Sequence, residues 1–151
     1  EVIAVTPYFV PTPDIQQAFR STSLRGVDVR LIVPERCNHW FAGQAARAYY
    51  EELLCAGVRI YQRGEPFMHS KLLVVDGEFT LVGTANLDVR SLCLNYETNI
   101  AVSGEAFADR MKELALEELS HSRELLLADW QQRSQLARLT QNTLALLSPI
   151  L

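Results

Sequence analysis

The sequence predicts an α/β domain in which helices flank a mixed β-sheet, and two observations carry that prediction. Residues 1–61 alternate strand-like and helix-like segments, which is typical of parallel strands joined by helical crossovers. Two later strand-like runs are joined by Asp76-Gly77, a dipeptide that favours a two-residue hairpin and an antiparallel pair. We find no linker or internal repeat, so we expect residues 1–151 to form a single domain.

The first elements follow from apolar runs that are closed by turn residues. Strands are predicted over 2–5, 27–33 and 58–61, and helices over 13–25 and 38–56. Pro13 suits a first helical turn, because the N–H that it lacks would have no partner there. Asn38 could cap the second helix by accepting a backbone N–H, and Gly57 could end it.

The remaining elements include the hairpin and a helical C-terminal part. Strands are predicted over 69–75, 78–83 and 96–102. A long helix is predicted from Glu105 to about Leu127, because apolar residues recur on one side of it. The tail from 130 to 151 predicts one or two further helices that end at Ser148-Pro149. The hairpin is expected near the centre of the sheet.

The composition limits the partners of the chain. Its formal net charge is −4, whereas a protein that binds nucleic acid usually carries a basic excess that neutralises phosphates. Nucleic acid is therefore not expected as the main partner. Cys37, Cys55 and Cys93 form no C-x-x-C pair, so neither a zinc site nor a thioredoxin-like motif is indicated. We interpret them as reduced, buried side chains.

One short motif contains the residues expected to carry chemistry. His69 and Lys71 are two residues apart on a predicted strand, so their side chains point to the same face. If Asp76 and Gly77 are the two turn residues, Thr84 lies directly across from His69 on that face, and Asn86 lies near the same end. An imidazole, an ammonium, a hydroxyl and a carboxamide are therefore expected to converge.

This set of groups suits phosphoryl chemistry. Lys71 supplies positive charge to a phosphate, and Thr84 and Asn86 supply hydrogen-bond donors. His69 can attack phosphorus or protonate a leaving oxygen. Asp76, by contrast, lies seven residues from His69, or roughly 20 Å along an extended chain, so a role in the hairpin turn is favoured over direct chemistry.

The pattern H-x-K-x-x-x-x-D, which begins at His69, is followed by G-T-A-N from Gly83. Together they are identified as the signature of the phospholipase D superfamily. The longer runs are similar to bacterial cardiolipin synthases, and in particular to their C-terminal half. Those runs are residues 6–11, 25–29, 53–58, 83–91, 95–97 and 147–151.

The resemblance implies a mechanism without metal or cofactor. Two such motifs meet to form one site, in which one histidine carries a phosphatidyl group and the other protonates the departing alcohol. In cardiolipin synthases the donor and the usual acceptor are phosphatidylglycerol, and glycerol leaves. His69, Lys71, Thr84 and Asn86 carry over into this site, and the family motif also includes Asp76. Glu97 matches a family glutamate that is expected to orient a histidine through its ring N–H.

The chain contains one copy of the motif, so the resemblance implies a second half domain, either in the same protein or as a second copy. Because the chain opens at Glu1 rather than at Met, we interpret it as part of a longer enzyme. The resemblance implies that this enzyme belongs to the bacterial cytoplasmic membrane. The fragment itself is expected to be soluble and in a reducing environment. Two alternatives stay open: a phosphodiesterase of the same superfamily, either a nuclease or a hydrolytic phospholipase, and a non-catalytic half domain.

Three other polar residues lie outside these motif positions. His39 precedes Trp40 at a predicted helix start, where a surface or capping role is favoured over a place at the mouth of the site. Arg90 could bind a lipid phosphate or hold its loop to a carboxylate. His121 falls among charged residues of the long helix and is expected to be solvated.

Overall fold

The computed structural model describes residues 1–147 of the chain. A seven-stranded mixed sheet has the strand order β8-β6-β5-β1-β3-β4-β9, and β2 pairs with β7 in a separate two-stranded sheet. The strands are β1 (Val2–Val5), β2 (Phe9–Val10), β3 (Val29–Pro34), β4 (Arg59–Arg63), β5 (Leu72–Val75), β6 (Phe79–Gly83), β7 (Leu87–Asp88), β8 (Asn99–Ser103) and β9 (Ser122–Leu125). The helices are α1 (Pro13–Leu24), α2 (Trp40–Cys55), α3 (Val89–Cys93), α4 (Glu105–Ser120), α5 (Leu127–Gln131) and α6 (Gln135–Leu146).

The predicted fold class is confirmed. Strands β1, β3 and β4 are parallel, because α1 and α2 supply the crossovers between them. Strands β5, β6, β8 and β9 pair antiparallel to their neighbours. The β5–β6 hairpin lies beside β1, which is the fourth of the seven strands, so the motif stands near the middle of the sheet.

One row of apolar side chains crosses all seven strands on a single face. In strand order the row is Ala101, Leu81, Leu73, Ala4, Leu31, Ile60 and Leu125. The last four are buried, because α1 and α2 pack over that part of the sheet. Leu73 and Leu81 are only half-buried, and Ala101 is exposed. This face is therefore well covered over β1, β3, β4 and β9 and open over β5, β6 and β8.

The opposite face is covered by α4. Its Ala108 and Ala115 are fully buried against a cluster that includes Val5, Ile32 and Val74. Small side chains on the inner side of α4 let the helix approach the sheet closely, so helix and strands share one apolar core. The long helix also places Glu118 near the end of β4, beside the motif.

The hairpin is confirmed, but its predicted register is wrong by one residue. Asp76 and Gly77 have φ values of 52° and 70°, as a tight hairpin turn requires. The ladder then pairs Val75 with Phe79 rather than with Glu78, because Glu78 is absorbed into the connection. Since a shift of one residue moves a side chain to the other face, Thr84 does not lie across from His69.

Several predicted boundaries are also wrong. The strand of the motif begins at Leu72, after His69 and Lys71, and β8 begins at Asn99. Asn38 does not cap α2: the N-cap position is His39, and the Asn38 carboxamide oxygen accepts the hydroxyl of Tyr8 at 2.5 Å.

The C-terminal part contains an unpredicted strand. Helix α4 ends at Ser120, and residues 122–125 form β9, an edge strand paired antiparallel with β4. The tail forms two helices, α5 and α6, while the predicted stop at Ser148-Pro149 lies outside the described residues.

Of the three free cysteines, Cys37 is half-buried, whereas Cys55 and Cys93 are exposed, so the expectation of buried thiols was wrong for these two. Over residues 1–147, no helix is both long enough and apolar enough to span a bilayer.

Candidate active site

The motif residues lie at one edge of the sheet. His69 and Lys71 precede β5, and Thr84 and Asn86 follow β6. Because β5 runs antiparallel to β1, this edge is also where the parallel strands β1 and β3 end. Ligands bind most often at the carboxyl edge of parallel strands, so the fold places the motif where a site is expected.

A buried threonine ties the end of β1 to the motif. The Thr6 hydroxyl donates to the Tyr8 carbonyl at 2.9 Å and accepts the N–H of Leu87 at 3.2 Å. Immediately beyond it, Phe9 pairs with Leu87 in the β2–β7 sheet. The segment that carries Asn86 is therefore held against the segment that carries Tyr8.

Four aromatic rings connect His69 with the start of α2. The ring centroids of His69 and Phe67 are 6.1 Å apart, those of Phe67 and Tyr8 are 6.3 Å apart, and those of Tyr8 and His39 are 5.7 Å apart. His39 is exposed and lines the same cavity as Asn86. The structure therefore places His39 at the mouth of the site as well as at the N-cap of α2.

The Lys71 ammonium is held beside the motif histidine. Its Nζ donates to the main-chain carbonyl of His69 at 2.8 Å. Burial lowers the pKa of Lys71, and the carboxylates of Glu97 and Asp88 partly offset this effect. A half-buried cation with acidic neighbours is a suitable partner for a phosphate that is brought in by a ligand.

An ion pair fixes the loop that leads into His69. Arg63, at the end of β4, donates through Nε to Glu118 of α4 at 3.0 Å. Its Nη1 donates to the carbonyls of Gly64 and Pro66 at 2.8 and 2.6 Å, and Glu118 also accepts the Ser70 hydroxyl at 3.4 Å. One guanidinium and one carboxylate thus hold both ends of the segment 64–70.

Gly83 permits a close approach of the chain before β8. A Cβ at this position would lie 2.3 Å from both the Asn99 Oδ1 and the Thr98 carbonyl oxygen. Any larger residue would push these strands apart. The glycine of the G-T-A-N run is therefore required for packing, and it brings Thr84 within reach of Glu97.

The Thr84 hydroxyl is fully engaged within the chain. It donates to Glu97 Oε2 at 2.5 Å and accepts the N–H of Thr98 at 2.9 Å. The hydrogen bond from Thr84 is the main reason why the pKa of Glu97 is lowered, and Asn95, Ser91 and Lys71 contribute less. In the described part of the chain no hydrogen bond joins Glu97 to His69.

The side-chain amide of Asn86 has one polar atom with a hydrogen-bond partner and one without. Its amide nitrogen donates to Ser91 Oγ at 3.1 Å, whereas its buried Oδ1 has no partner within the described residues. Asp88 caps α3 by accepting the Ser91 N–H at 2.6 Å. The amide nitrogen carries two hydrogens and Ser91 takes one of them, so the other can serve a ligand.

The structure does not bring the predicted site residues into a single cavity. His69 and Lys71 line a cavity of about 470 Å³, and Asn86 lines a different one of about 580 Å³, while Thr84 and Glu97 line neither. Asp76 lies at the far end of β5, where its Oδ1 accepts from the nitrogen of Glu1 at 2.5 Å, so its place in the turn is confirmed. His121 is exposed, as expected, but it lines the His69 cavity.

Arg63, Glu118 and Tyr8 were not expected to contribute to the site. No local pattern marks them, because Arg63 and Glu118 are 55 positions apart in the sequence. Among residues 1–147, no group of three or more His, Cys, Asp or Glu side chains could hold a metal ion.

Comparison with known proteins places the chain among lipid-synthesising relatives. A family model described as the PLD-like domain of cardiolipin synthase matches residues 1–118. Cardiolipin synthase A of Proteus mirabilis is 36% identical over 151 residues, which is 100% of this chain and 31% of that protein. A cardiolipin synthase of Clostridium perfringens is 38% identical over 146 residues, which is 97% of this chain and 31% of that protein. The chain therefore spans about a third of the length of these curated relatives.

Solved structures share the fold. The phospholipase D family member NUC of Salmonella typhimurium has a TM-score of 0.72 and 24% identity, over 83% of this chain and 81% of that chain. A phosphatidylserine synthase of Haemophilus influenzae has a TM-score of 0.71 and 19% identity, over 99% of this chain and 41% of that chain. At these identities the two structures support the fold alone.

Proposed function

The chain belongs to the family of cardiolipin synthase phospholipase-D-like domains, and from this premise we propose that it catalyses phosphatidyl transfer, joining two phosphatidylglycerol molecules into cardiolipin and releasing glycerol. The observation that carries the proposal is the identity of 36–40% to cardiolipin synthases along almost the whole chain, with the motif histidine and lysine side by side at the edge where the parallel strands end. The curated relatives are about three times longer, so this activity is proposed for the protein as a whole.

The reaction proceeds in two displacements at phosphorus. In the first, an imidazole nitrogen attacks phosphorus, the bond from phosphorus to the glycerol headgroup breaks, and a second imidazole gives its proton to the departing glycerol oxygen. In the second, the headgroup hydroxyl of another phosphatidylglycerol attacks the same phosphorus. The phosphorus–nitrogen bond breaks, and the hydroxyl proton passes to the second imidazole. Atoms and charge balance with no metal or cofactor.

We propose a role for each residue of the motif. His69 supplies an imidazole, and Lys71, already beside it, neutralises charge on the phosphoryl oxygens in the transition state. Asn86 has a second amide hydrogen that Ser91 does not use, and we propose that it donates to the same phosphate. The Thr84 hydroxyl is already bonded to Glu97, so we propose that this pair shapes the loop around Lys71 and meets the phosphate only after Glu97 turns away. We assign Asp76 to the turn.

A second half domain completes the site. One histidine cannot attack phosphorus and protonate the leaving group in the same step, so we propose that another copy of the fold supplies the second imidazole. The open face over β5, β6 and β8, with Leu73, Leu81 and Ala101, supports this arrangement, since it adjoins the strand that follows His69. We propose that residues 1–151 are one domain, the C-terminal half of such an enzyme.

The test is product analysis by thin-layer chromatography. The chain is incubated with labelled phosphatidylglycerol in mixed micelles, beside a His69→Ala control. We expect cardiolipin and glycerol in equal amounts from the unmutated chain and neither from the control. Phosphatidic acid in their place would show hydrolysis and refute transfer. Equal cardiolipin from the His69→Ala chain would refute the assignment of His69.

A further inference from the structure

Two large aromatic side chains are exposed at the start of α2. Trp40 and Phe41 are each 56% exposed, and their rings meet edge to face with centroids 5.1 Å apart. We call this pair the aromatic rim. Isolated exposed apolar residues are common, but adjacent aromatics bordering a cavity are typical of a surface that contacts another molecule.

The aromatic rim borders the site. Trp40 and Phe41 line the cavity of about 580 Å³ that Asn86 also lines. Tyr8 lines this cavity as well, and it connects through the ring of Phe67 to His69. A molecule that covers the rim therefore stands at the entrance to the motif.

The charges around the rim favour an anionic partner. Arg90 and Asp88 line the cavity, and their opposite charges cancel. Arg90 is exposed and forms no ion pair within the described residues, so its guanidinium is available to an external phosphate. On the other side of Trp40, Arg36 and Arg47 outnumber Glu35, so the charged side chains around Trp40 carry one positive charge in excess.

We propose that the aromatic rim, together with Arg90, docks on the surface of an anionic lipid bilayer, so that a phospholipid headgroup reaches Asn86 while its acyl chains stay in the membrane. The proposal rests on the proposed function, because it takes an anionic lipid as the substrate. The indole of Trp40 suits this place, since its apolar rings enter the acyl boundary while its N–H stays at the headgroups. With a net charge of −4, the chain as a whole is repelled by such a surface, so attraction has to be local.

The chain carries its own reporter for the test. It contains two tryptophans: Trp40, at the rim, and Trp130, which is 6% exposed and packs on Tyr50. In a Trp130→Phe chain all tryptophan emission comes from Trp40. We expect vesicles of phosphatidylglycerol to shift that emission to the blue, and lipids brominated near the headgroup to quench it. Vesicles of phosphatidylcholine should do neither at the same lipid concentration. If Trp130→Phe fails to fold, the emission spectrum of Trp40→Phe is subtracted from that of the unmutated chain, and the difference gives the emission of Trp40.

Substitutions test the rim itself. Replacing Trp40 and Phe41 by Ala should weaken co-sedimentation with phosphatidylglycerol vesicles by about tenfold or more, the factor expected for removing even one large apolar side chain from the bilayer boundary. Leu24→Ala is the matched control, because Leu24 is 67% exposed at the end of α1, and it should leave sedimentation unchanged. Equal loss in both variants would overturn the proposal.

The outcomes separate docking from catalysis. His69→Ala should bind vesicles as well as the unmutated chain does. Product from micelles without any response of Trp40 to vesicles would refute docking and leave the proposed transfer standing. Docking without product would refute transfer by this chain and would support docking through the aromatic rim. A Trp40 emission that is already blue-shifted without lipid, in a chain that sediments as a dimer, would show that a second copy covers the rim and would overturn the proposal.

Discussion

Replacing Arg63 by Met tests whether an ion pair holds the loop that carries His69. The Arg63 side chain is 12% exposed and that of its partner Glu118 is 24% exposed, so water screens the pair only partly. Loss of the hydrogen bond to Glu118, a charged group, costs about 1.5–3 kcal/mol. The carbonyls of Gly64 and Pro66 lie nearer the surface and can bond to water instead, so they add little to this cost. In a chain of this length, that loss lowers Tm by about 3–12 °C.

Arg110→Met is the matched control. Arg110 pairs with Glu113 on the same helix at 2.6 Å, but both side chains are more than 60% exposed. Exposed pairs contribute about 0–1 kcal/mol, so Tm should fall by a few degrees at most. Both variants are measured by calorimetry, and kcat is measured well below either Tm. Arg63→Met should also lower kcat, because His69 is then less firmly positioned. Equal Tm values for the two variants would refute the reasoning.

Three further predictions concern the motif. Gly83→Ala should destabilise the chain by about 1–3 kcal/mol in urea unfolding, because its Cβ would collide with Asn99; an unchanged midpoint would contradict this. Lys71→Met should abolish transfer and yet raise Tm at pH 7. Burial lowers the pKa of Lys71, so folding disfavours its charged form. The free energy of unfolding therefore rises with pH only between the lowered pKa of the folded chain and the ordinary pKa of the unfolded chain. A lower Tm would count against this account. Glu97→Gln should remove stability that is present above the ordinary carboxyl pKa. Hydrogen bonding from Thr84 lowers the pKa of Glu97 in the folded chain. This stability is therefore lost as the pH falls through that lowered pKa, and the curves of Tm against pH for the two chains should converge below pH 4.5. Curves that stay parallel to lower pH would exclude this role.

The features that could be predicted from sequence are those fixed by neighbouring residues. The crossovers through α1 and α2 follow from the spacing of apolar runs, and the hairpin follows from Asp76 and Gly77, whose positive φ values suit such a turn. The register could not be predicted in the same way. Whether Glu78 pairs in the β5–β6 ladder or belongs to the connection depends on contacts with the segment after β8. There the Gly104 N–H donates to the Glu78 carbonyl at 2.7 Å.

Features that depend on distant contacts were not visible in the sequence. Strand β9 falls in the stretch predicted as helix, because the run from Ser122 to Leu125 has little strand character of its own. It is held beside β4 in part by Arg59, which donates to Glu124 at 3.0 and 3.1 Å. The partner of Glu97 was likewise missed, since the resemblance suggested a histidine and the structure gives Thr84.

The central claim is that His69 performs covalent phosphatidyl transfer, and intact-protein mass spectrometry tests it most directly. The chain is mixed with phosphatidylglycerol and quenched in alkali, because phosphorus–nitrogen bonds hydrolyse in acid. The chain carries one motif histidine, so turnover by the chain alone requires His69 of one copy to hold the phosphatidyl group while His69 of another protonates glycerol. We predict a mass increase of one phosphatidyl group, localised to His69 and absent from His69→Ala. Cardiolipin formation with the adduct on another residue, or with none during turnover, would contradict the account.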